Sequence, residues 1–325
     1  MVHRRIRDYV SKESLHRNST AFLSDRLTGD FTSAIKCYLF IPIHNALGIE
    51  KRIHFMLSFD EIDAVFQEHY FEDMGCVSHG DARFLCDLIQ ESQPTKCFEV
   101  GVASGMSTAF LLKALAKLGP ERELVSVDIS SQYYADRTKQ VGYVVDLAIP
   151  ELGCKFDLQF NRWSADAETF GQNGKFDFVF IDAHHSHPWA TLDTMLVLPF
   201  VKPGTWIAHH DIALKDIPRF ARESGPFHVY EAFDQPKKKS QLERQNIGAF
   251  RIDGEHRGYE GTLLASLAQE WTVSGVIKES FHNRIYELTE RYYSDAFAKE
   301  VRQLIEAHNV EVKQRRERLK AEQNR

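Results

Sequence analysis

The stretch Cys97-Phe98-Glu99-Val100-Gly101-Val102-Ala103-Ser104-Gly105-Met106-Ser107 decides the fold. A short β-forming run ends in one glycine, and a second glycine follows four positions on. A helical pattern then runs over residues 107–118 until Gly119-Pro120 stops it. A strand that turns sharply into a helix is the opening unit of a parallel α/β sheet. Further β-like runs stand at residues 124–128, 155–160, 176–182 and 205–209, with helical patterns between several of them. The run 176–182 is the most apolar, as expected of a strand at the centre of a sheet. The chain therefore reads as an α/β protein with a doubly wound, mostly parallel sheet and helical additions at both ends.

Working outward from that unit, Ser78 with Asp81 resembles a capping box. It opens a helix whose apolar face is Phe84, Leu85, Leu88 and Ile89, closed by Pro94. Residues 189–200 form a helix ended by Lys202-Pro203-Gly204. Two later β-like runs, 227–231 and 247–252, flank a basic loop, Lys237-Lys238-Lys239, and are expected to pair as an antiparallel hairpin at the sheet edge. Three regions follow: 1–78, an accessory segment with short helical patterns; 79–252, the sheet domain; and 253–325, a helical extension. Neither a repeat nor a low-complexity linker separates them.

Over 325 residues the chain is 43% hydrophobic and 26% charged, which excludes a disordered, collagen-like or disulfide-stapled protein. Apolar runs of membrane-spanning length are absent. A net charge of −6 disfavours nucleic acid as a partner. The three arginines among residues 1–9 have no apolar segment behind them, so the start does not read as a secretory signal. Five scattered cysteines (37, 76, 86, 97 and 154) without any CxxC read as reduced thiols, hence the expectation of a cytoplasmic protein.

Ligands of open α/β sheets bind beyond the carboxyl ends of the strands. Four polar motifs fall at such ends: 99–107, Asp128, 182–187 and 209–211. Gly101 and Gly105 permit a sharp turn and close approach of a ligand. A dinucleotide fingerprint would need glycines where Ala103 and Met106 stand, and Glu99 would repel a pyrophosphate. The carboxylate suits a cationic group, such as an α-amine or a sulfonium. Asp128 can accept hydrogen bonds from both hydroxyls of an adenosine ribose, and Asp166 can reach an adenine amino group. Taken singly, Asp128 reads equally as a helix cap or a solvated strand end.

Together, Glu99-x-Gly101-x-x-x-Gly105-x-Ser107, Asp128 and Phe178-Val179-Phe180-Ile181-Asp182-Ala183 resemble class I S-adenosylmethionine-dependent methyltransferases. More narrowly, they resemble the metal-dependent O-methyltransferases related to the catechol and caffeoyl-CoA enzymes. The stretch Ile181-Asp182-Ala183-His184-His185-Ser186, with Pro203-Gly204 and His209-His210-Asp211, is similar to bacterial sugar and macrolide-sugar O-methyltransferases. The likeness spans residues 79–252. It implies that Glu99, Gly101, Ala103, Gly105, Ser107, Asp128 and Asp166 hold S-adenosylmethionine. It further implies that Asp182, His210 and Asp211 hold a divalent cation (Mg²⁺ or Mn²⁺), and that His185 is the general base. The acceptor would be a hydroxylated small molecule, with a sugar or glycosylated natural product as the finer expectation.

One departure stands out. Where relatives carry Asp-Asn or Glu-Asp at the fifth strand's end, this chain has His210-Asp211. Imidazole suits Mn²⁺, Fe²⁺ or Zn²⁺ better than Mg²⁺. Either the metal is softer than Mg²⁺, or His210 is not a ligand, or histidines perform the proton chemistry without a metal. Five histidines (184, 185, 187, 209 and 210) crowd two neighbouring strand ends, which favours a site over five separate structural roles. In the extension, Ile285, Leu288, Tyr292, Ala296, Phe297, Val301 and Leu304 recur at helical spacing. They read as a helix packed on the core, with a homo-oligomer contact as the alternative. Two other functions stay open: a NAD-dependent oxidoreductase on a similar sheet, and a non-catalytic methyltransferase-like binding protein.

Overall fold

In the computed structural model, residues 59–69, 76–242 and 244–323 are described. The chain divides into two units, Met1–Arg52 and Ile53–Arg325, and only the second contains described residues. Buried side chains line both faces of Lys96–Val100 (β1), Glu123–Asp128 (β2), Phe176–Ile181 (β4) and Val201–His209 (β5), while Lys155–Phe160 (β3) is half-buried. Such two-sided burial needs helices above and below the sheet. With Lys237–Lys239 (β6) and Gly248–Ile252 (β7), the described strands form one seven-stranded sheet in the order β3-β2-β1-β4-β5-β7-β6. Strands β1 to β5 are parallel, β7 runs antiparallel to β5, and β6 antiparallel to β7. The chain winds outward from β1 to β3, then restarts at β4 on the other side of β1. The switch point, where such sheets bind ligands, is therefore the crevice between the β1 and β4 ends.

Each face carries its own core. Phe59–His69 (α1), His79–Ser92 (α2), Met106–Ala116 (α3) and Tyr143–Ala148 (α4) pack with Cys97, Leu124, Phe178 and Phe180 on one side. Ala167–Gly171 (α5), Trp189–Val197 (α6), Gly225–Ala232 (α7), Glu260–Leu267 (α8), Glu279–Tyr292 (α9) and Asp295–Gln323 (α10) cover Phe98, Val125, Val179 and Ile207 on the other. The C-terminal helices are thus part of the sheet's cover. Ile285, Leu288, Phe297 and Val301 are spent inside the chain's own core. The chain ends α9 at Tyr292 and restarts α10 at Asp295, which shifts the helical phase and leaves Ala296 exposed while Ala298 is buried. Glu168 fastens this cover, accepting hydrogen bonds from Arg284, Arg291 and the Tyr292 hydroxyl.

Two expectations for the sheet edge are corrected. Residues 227–231 are helical, within α7, because Val229 and Tyr230 are buried side by side, a spacing that a one-faced strand forbids. The partner of β7 is instead the lysine run expected to be a loop. Its ammonium groups sit over aromatic rings, Lys237 Nζ 4.9 Å from the centre of the Tyr230 ring and Lys238 Nζ 5.2 Å from that of Trp206. A short, cationic edge strand discourages pairing with another chain. The four described cysteines (76, 86, 97 and 154) are free, and Cys37 lies outside the described residues. No helix among the described residues is long and apolar enough to cross a membrane.

Candidate active site

The β1–α3 loop is built on positive φ angles: Gly101 at 89°, Ala103 at 50° and Gly105 at 90°. At Gly101 a Cβ would lie 2.1 Å from the Asp182 carbonyl oxygen, so only glycine lets the loop sit against the end of β4. Asp128 clamps the loop from β2: one carboxylate oxygen accepts the Val102 and Ala103 N–H groups at 3.0 and 3.1 Å, and the other accepts the Ser130 N–H at 2.8 Å. Beside it, Ile129 leaves its apolar side chain 59% exposed at the rim.

Glu99 is completely buried beneath this loop. Its oxygens accept hydrogen bonds from the hydroxyls of Ser107 at 2.7 Å, Thr108 at 2.8 Å and Ser126 at 2.6 Å. Burial pushes its carboxyl up to about 7 despite those three donors. Its hold on the loop therefore runs through Ser107 and Thr108 in the first turn of α3. Asp166 lies in the turn after β3, half-buried, and accepts from the Trp163 N–H and the Arg162 guanidinium.

The ends of β4 and β5 bring together the second half of the site. His185 Nε2 lies 3.3 Å from Asp182 Oδ1 and 3.0 Å from Asp211 Oδ2. His210 Nδ1 faces the same two carboxylates at 3.3 and 3.6 Å, while its Nε2 meets Asp81 at 3.2 Å. Burial alone would lower both imidazole pKa values. For His185, Asp182 and Asp211 outweigh that and raise it; for His210 the same pair, with Asp81, raises it further. Burial would raise Asp182, but His210 and His185 hold it well below the usual carboxylate range. Asp211 stands at φ 61°, a left-handed conformation, and Asn246 secures it. The Asn246 amide donates to Asp211 Oδ1 at 2.5 Å, its Oδ1 accepts the Ala213 N–H at 3.1 Å, and its carbonyl accepts the Ile212 N–H at 3.1 Å.

Donor atoms of Asp182, His185 and Asp211 lie within 4.8 Å of one another, a group able to hold a metal ion. Cis ligands on an octahedral cation with bonds of about 2.1 Å stand roughly 3 Å apart, close to the separations here. The donor set therefore fits a divalent cation. His210 also fits, since a ligating histidine typically donates its other ring N–H to a carboxylate, here Asp81.

One cavity of about 800 Å³ takes in the ends of β4 and β5 and meets the β1–α3 loop at Ala103; Glu99, Asp128 and Asp166 are not part of its lining. Ala103 and Tyr134 line its donor-loop side, and Asp81, Asp182, His185, His210, Asp211 and Asn246 its floor. Ala213, Leu214, Ile217 and Phe220, from the chain after β5, form an apolar wall, with Arg244 and Asp216 also in the lining. Sequence reasoning missed Asn246 and read Asp81 only as a helix cap; its side chain does both jobs, accepting from the Ser78 hydroxyl while facing His210. Nothing local in the sequence tied Asn246 to Asp211. Of the five clustered histidines, only 185 and 210 enter the site. His184 is exposed; His187 and His209 are buried and pushed down to about 3 by that burial, His209 lying 2.9 Å from the Thr194 hydroxyl.

A family profile described as a methyltransferase domain matches residues 98–212, from β1 to the end of β5. The match spans about a third of the chain; beyond it, the strand order with a reversed seventh strand is that of the class I methyltransferase fold. Among solved structures, the chain is similar to an O-methyltransferase from Bacillus cereus in complex with S-adenosylhomocysteine (18% identity, TM-score 0.43, 59% of this chain and 90% of that one). It is similar to the O-methyltransferase TomG from Streptomyces achromogenes in complex with S-adenosylmethionine (17%, 0.44, 60% and 89%). It is also similar to the S-adenosylhomocysteine-bound methyltransferase PaMTH1 from Podospora anserina (12%, 0.46, 65% and 100%). These likenesses are distant, and the fold stands on the strand order itself. No curated protein matches the sequence.

Proposed function

We propose that the protein transfers a methyl group from S-adenosylmethionine to a hydroxyl oxygen of a small molecule, with residues 79–252 as the donor-binding domain and 253–325 as its helical cover. The observation that carries this reading is the shared cavity: Ala103 of the glycine loop and the Asp182–His185–Asp211 group line one space, joined where Gly101 packs on Asp182. In this reading the backbone of Gly101, Ala103 and Gly105 cradles the donor's amino-acid end, and Glu99 acts through Ser107. Asp128 receives the ribose, Ile129 offers its exposed side chain to the adenine, and Asp166 reaches the adenine amino group.

Asp182, Asp211 and His210 through Nδ1 would hold a divalent cation, with Asp81 fixing the His210 tautomer. Bound there, the cation would lower the pKa of the acceptor hydroxyl and draw the two carboxylates away from His185. One imidazole among the ligands favours Mn²⁺ over Mg²⁺. As the acceptor oxygen takes the methyl group from sulfur, its proton passes to Nε2 of His185, which the carboxylates' engagement elsewhere leaves free to accept it. A sugar or glycosylated natural product is the finer expectation for the acceptor.

Calorimetric titration of S-adenosylmethionine into wild type and Asp128→Ala tests the donor site. At least a tenfold loss of affinity is expected, and unchanged affinity removes Asp128 from it. Turnover insensitive to EDTA, with Asp182→Ala still active, would remove the metal.

A further inference from the structure

The charged groups lining the cavity are almost all matched by neighbours. Asp81 faces His210, Asp182 faces both histidines, Asp211 is held by Asn246 and His185, and Asp216 pairs with Lys215 at 2.6 Å. Arg244 is the exception. Its guanidinium is exposed at the cavity lining and meets no carboxylate among the described residues. Two residues on, Asn246 ties the same segment to Asp211, Ile212 and Ala213 by three hydrogen bonds, so Arg244 is carried on backbone anchored to the catalytic end of β5. The same cavity is lined by the apolar side chains of Leu214, Ile217 and Phe220.

We propose that Arg244 is a specificity residue, and that the acceptor is a hydroxylated compound with an apolar body and an anionic group, a carboxylate or a phosphate. The inference rests on the methyl-transfer reading for the role of the hydroxyl end. That end goes to the Asp182–His185–Asp211 group, the body lies along Leu214, Ile217 and Phe220, and the anion meets the guanidinium. Arginine suits this task because its planar fork presents paired donors to both carboxylate and phosphate. A neutral partner would leave an unmatched cation beside an apolar wall, whereas an anion would complete the pairing that every other charged lining residue already has. A cavity of about 800 Å³ is large enough for such a body with the donor beside it.

The test compares matched pairs differing in charge: 3,4-dihydroxybenzoate against catechol, methyl glucuronide against methyl glucoside, and 4-hydroxyphenyl phosphate against 4-methoxyphenol for the phosphate alternative. Binding is read by calorimetry on Mn²⁺-loaded protein saturated with S-adenosylhomocysteine, which requires no turnover. In at least one pair the charged member should bind tenfold or more tightly than the neutral one. Arg244→Gln should bring that ratio within threefold, and Arg244→Lys should retain most of it. Equal binding of the members in every pair, or a preference that survives in Arg244→Gln, overturns the proposal. Release of S-adenosylhomocysteine from S-adenosylmethionine is measured separately with the same compounds. Arg244-dependent anion binding without any methylation would uphold the anion site while refuting methyl transfer to these hydroxyls.

Discussion

Replacing Gly101 with alanine tests the joint between the two halves of the site. Two costs are expected, and the structure separates them. The first is conformational: at φ 89° an L side chain is strained, by roughly 1–2 kcal/mol. The second is steric: the new Cβ would sit 2.1 Å from the Asp182 oxygen, 2.7 Å from its carbonyl carbon and 2.9 Å from the Ala183 Cα. These are backbone atoms at the end of a central strand, and overpacking of this kind costs another ~1–3 kcal/mol. Gly204 supplies the control, with φ 93° and nothing within 4 Å of its Cβ position. Gly204→Ala should therefore show the first cost alone. Urea unfolding followed by circular dichroism should place Gly101→Ala about 1–3 kcal/mol below Gly204→Ala. Because relief must come from Asp182, Mn²⁺ affinity should fall in Gly101→Ala and hold in Gly204→Ala. Equal stability losses in the two variants would refute the close contact, and with it the coupling of loop to cluster.

Asn246→Ala, which frees the left-handed Asp211, should weaken Mn²⁺ binding by about tenfold or more, as loss of an outer-shell partner does, while S-adenosylmethionine affinity stays within twofold; an unchanged Mn²⁺ titration would show that Asp211 needs no support. Asp193 is wholly buried with the Ser164 hydroxyl as its partner, and burial pushes its carboxyl up to about 7. Its unfolded value is near 4, so from about pH 4 to 7 the folded state keeps a proton that the unfolded chain has lost, and stability falls across that window by a few kcal/mol. Asp193→Asn should flatten this part of the stability–pH curve, although Glu99 contributes a similar slope; an identical curve for the variant would show that Asp193 ionises normally. Glu168→Ala severs three contacts to α9 and should cost ~1–3 kcal/mol, with faster hydrogen exchange over residues 279–292. Exchange rates matching wild type there would assign the docking of α9 to its apolar residues alone.

The central strands and the four polar strand ends are legible in the sequence because each rests on local pattern: an apolar run, a glycine where the chain must turn, a carboxylate where the strand stops. What the sequence conceals is pairing across distance. Asn246 and Asp211 meet only because β7 folds back against β5, and Asp81 reaches His210 only because α2 is packed beside β5. The edge misleads for a different reason. Phe227, Val229 and Glu231 alternate like a strand, yet Gly225-Pro226 opens a helix there, and the lysines judged too polar to pair set their ammonium groups over the Tyr230 and Trp206 rings. Histidine density is an equally coarse signal, since His209, the last residue of β5, turns to Thr194 while His210, just beyond the strand, turns to Asp81 and Asp182.

The dependence of one sheet face on α9 and α10 bears on biosynthesis. Phe98, Val125, Val179 and Ile207 emerge from the ribosome more than a hundred residues before Phe297 and Val301 arrive to shield them, apart from Ile207, which waits nearly as long. During that interval the nascent sheet presents a broad sticky surface, and a growing chain in this condition is the kind that chaperones engage.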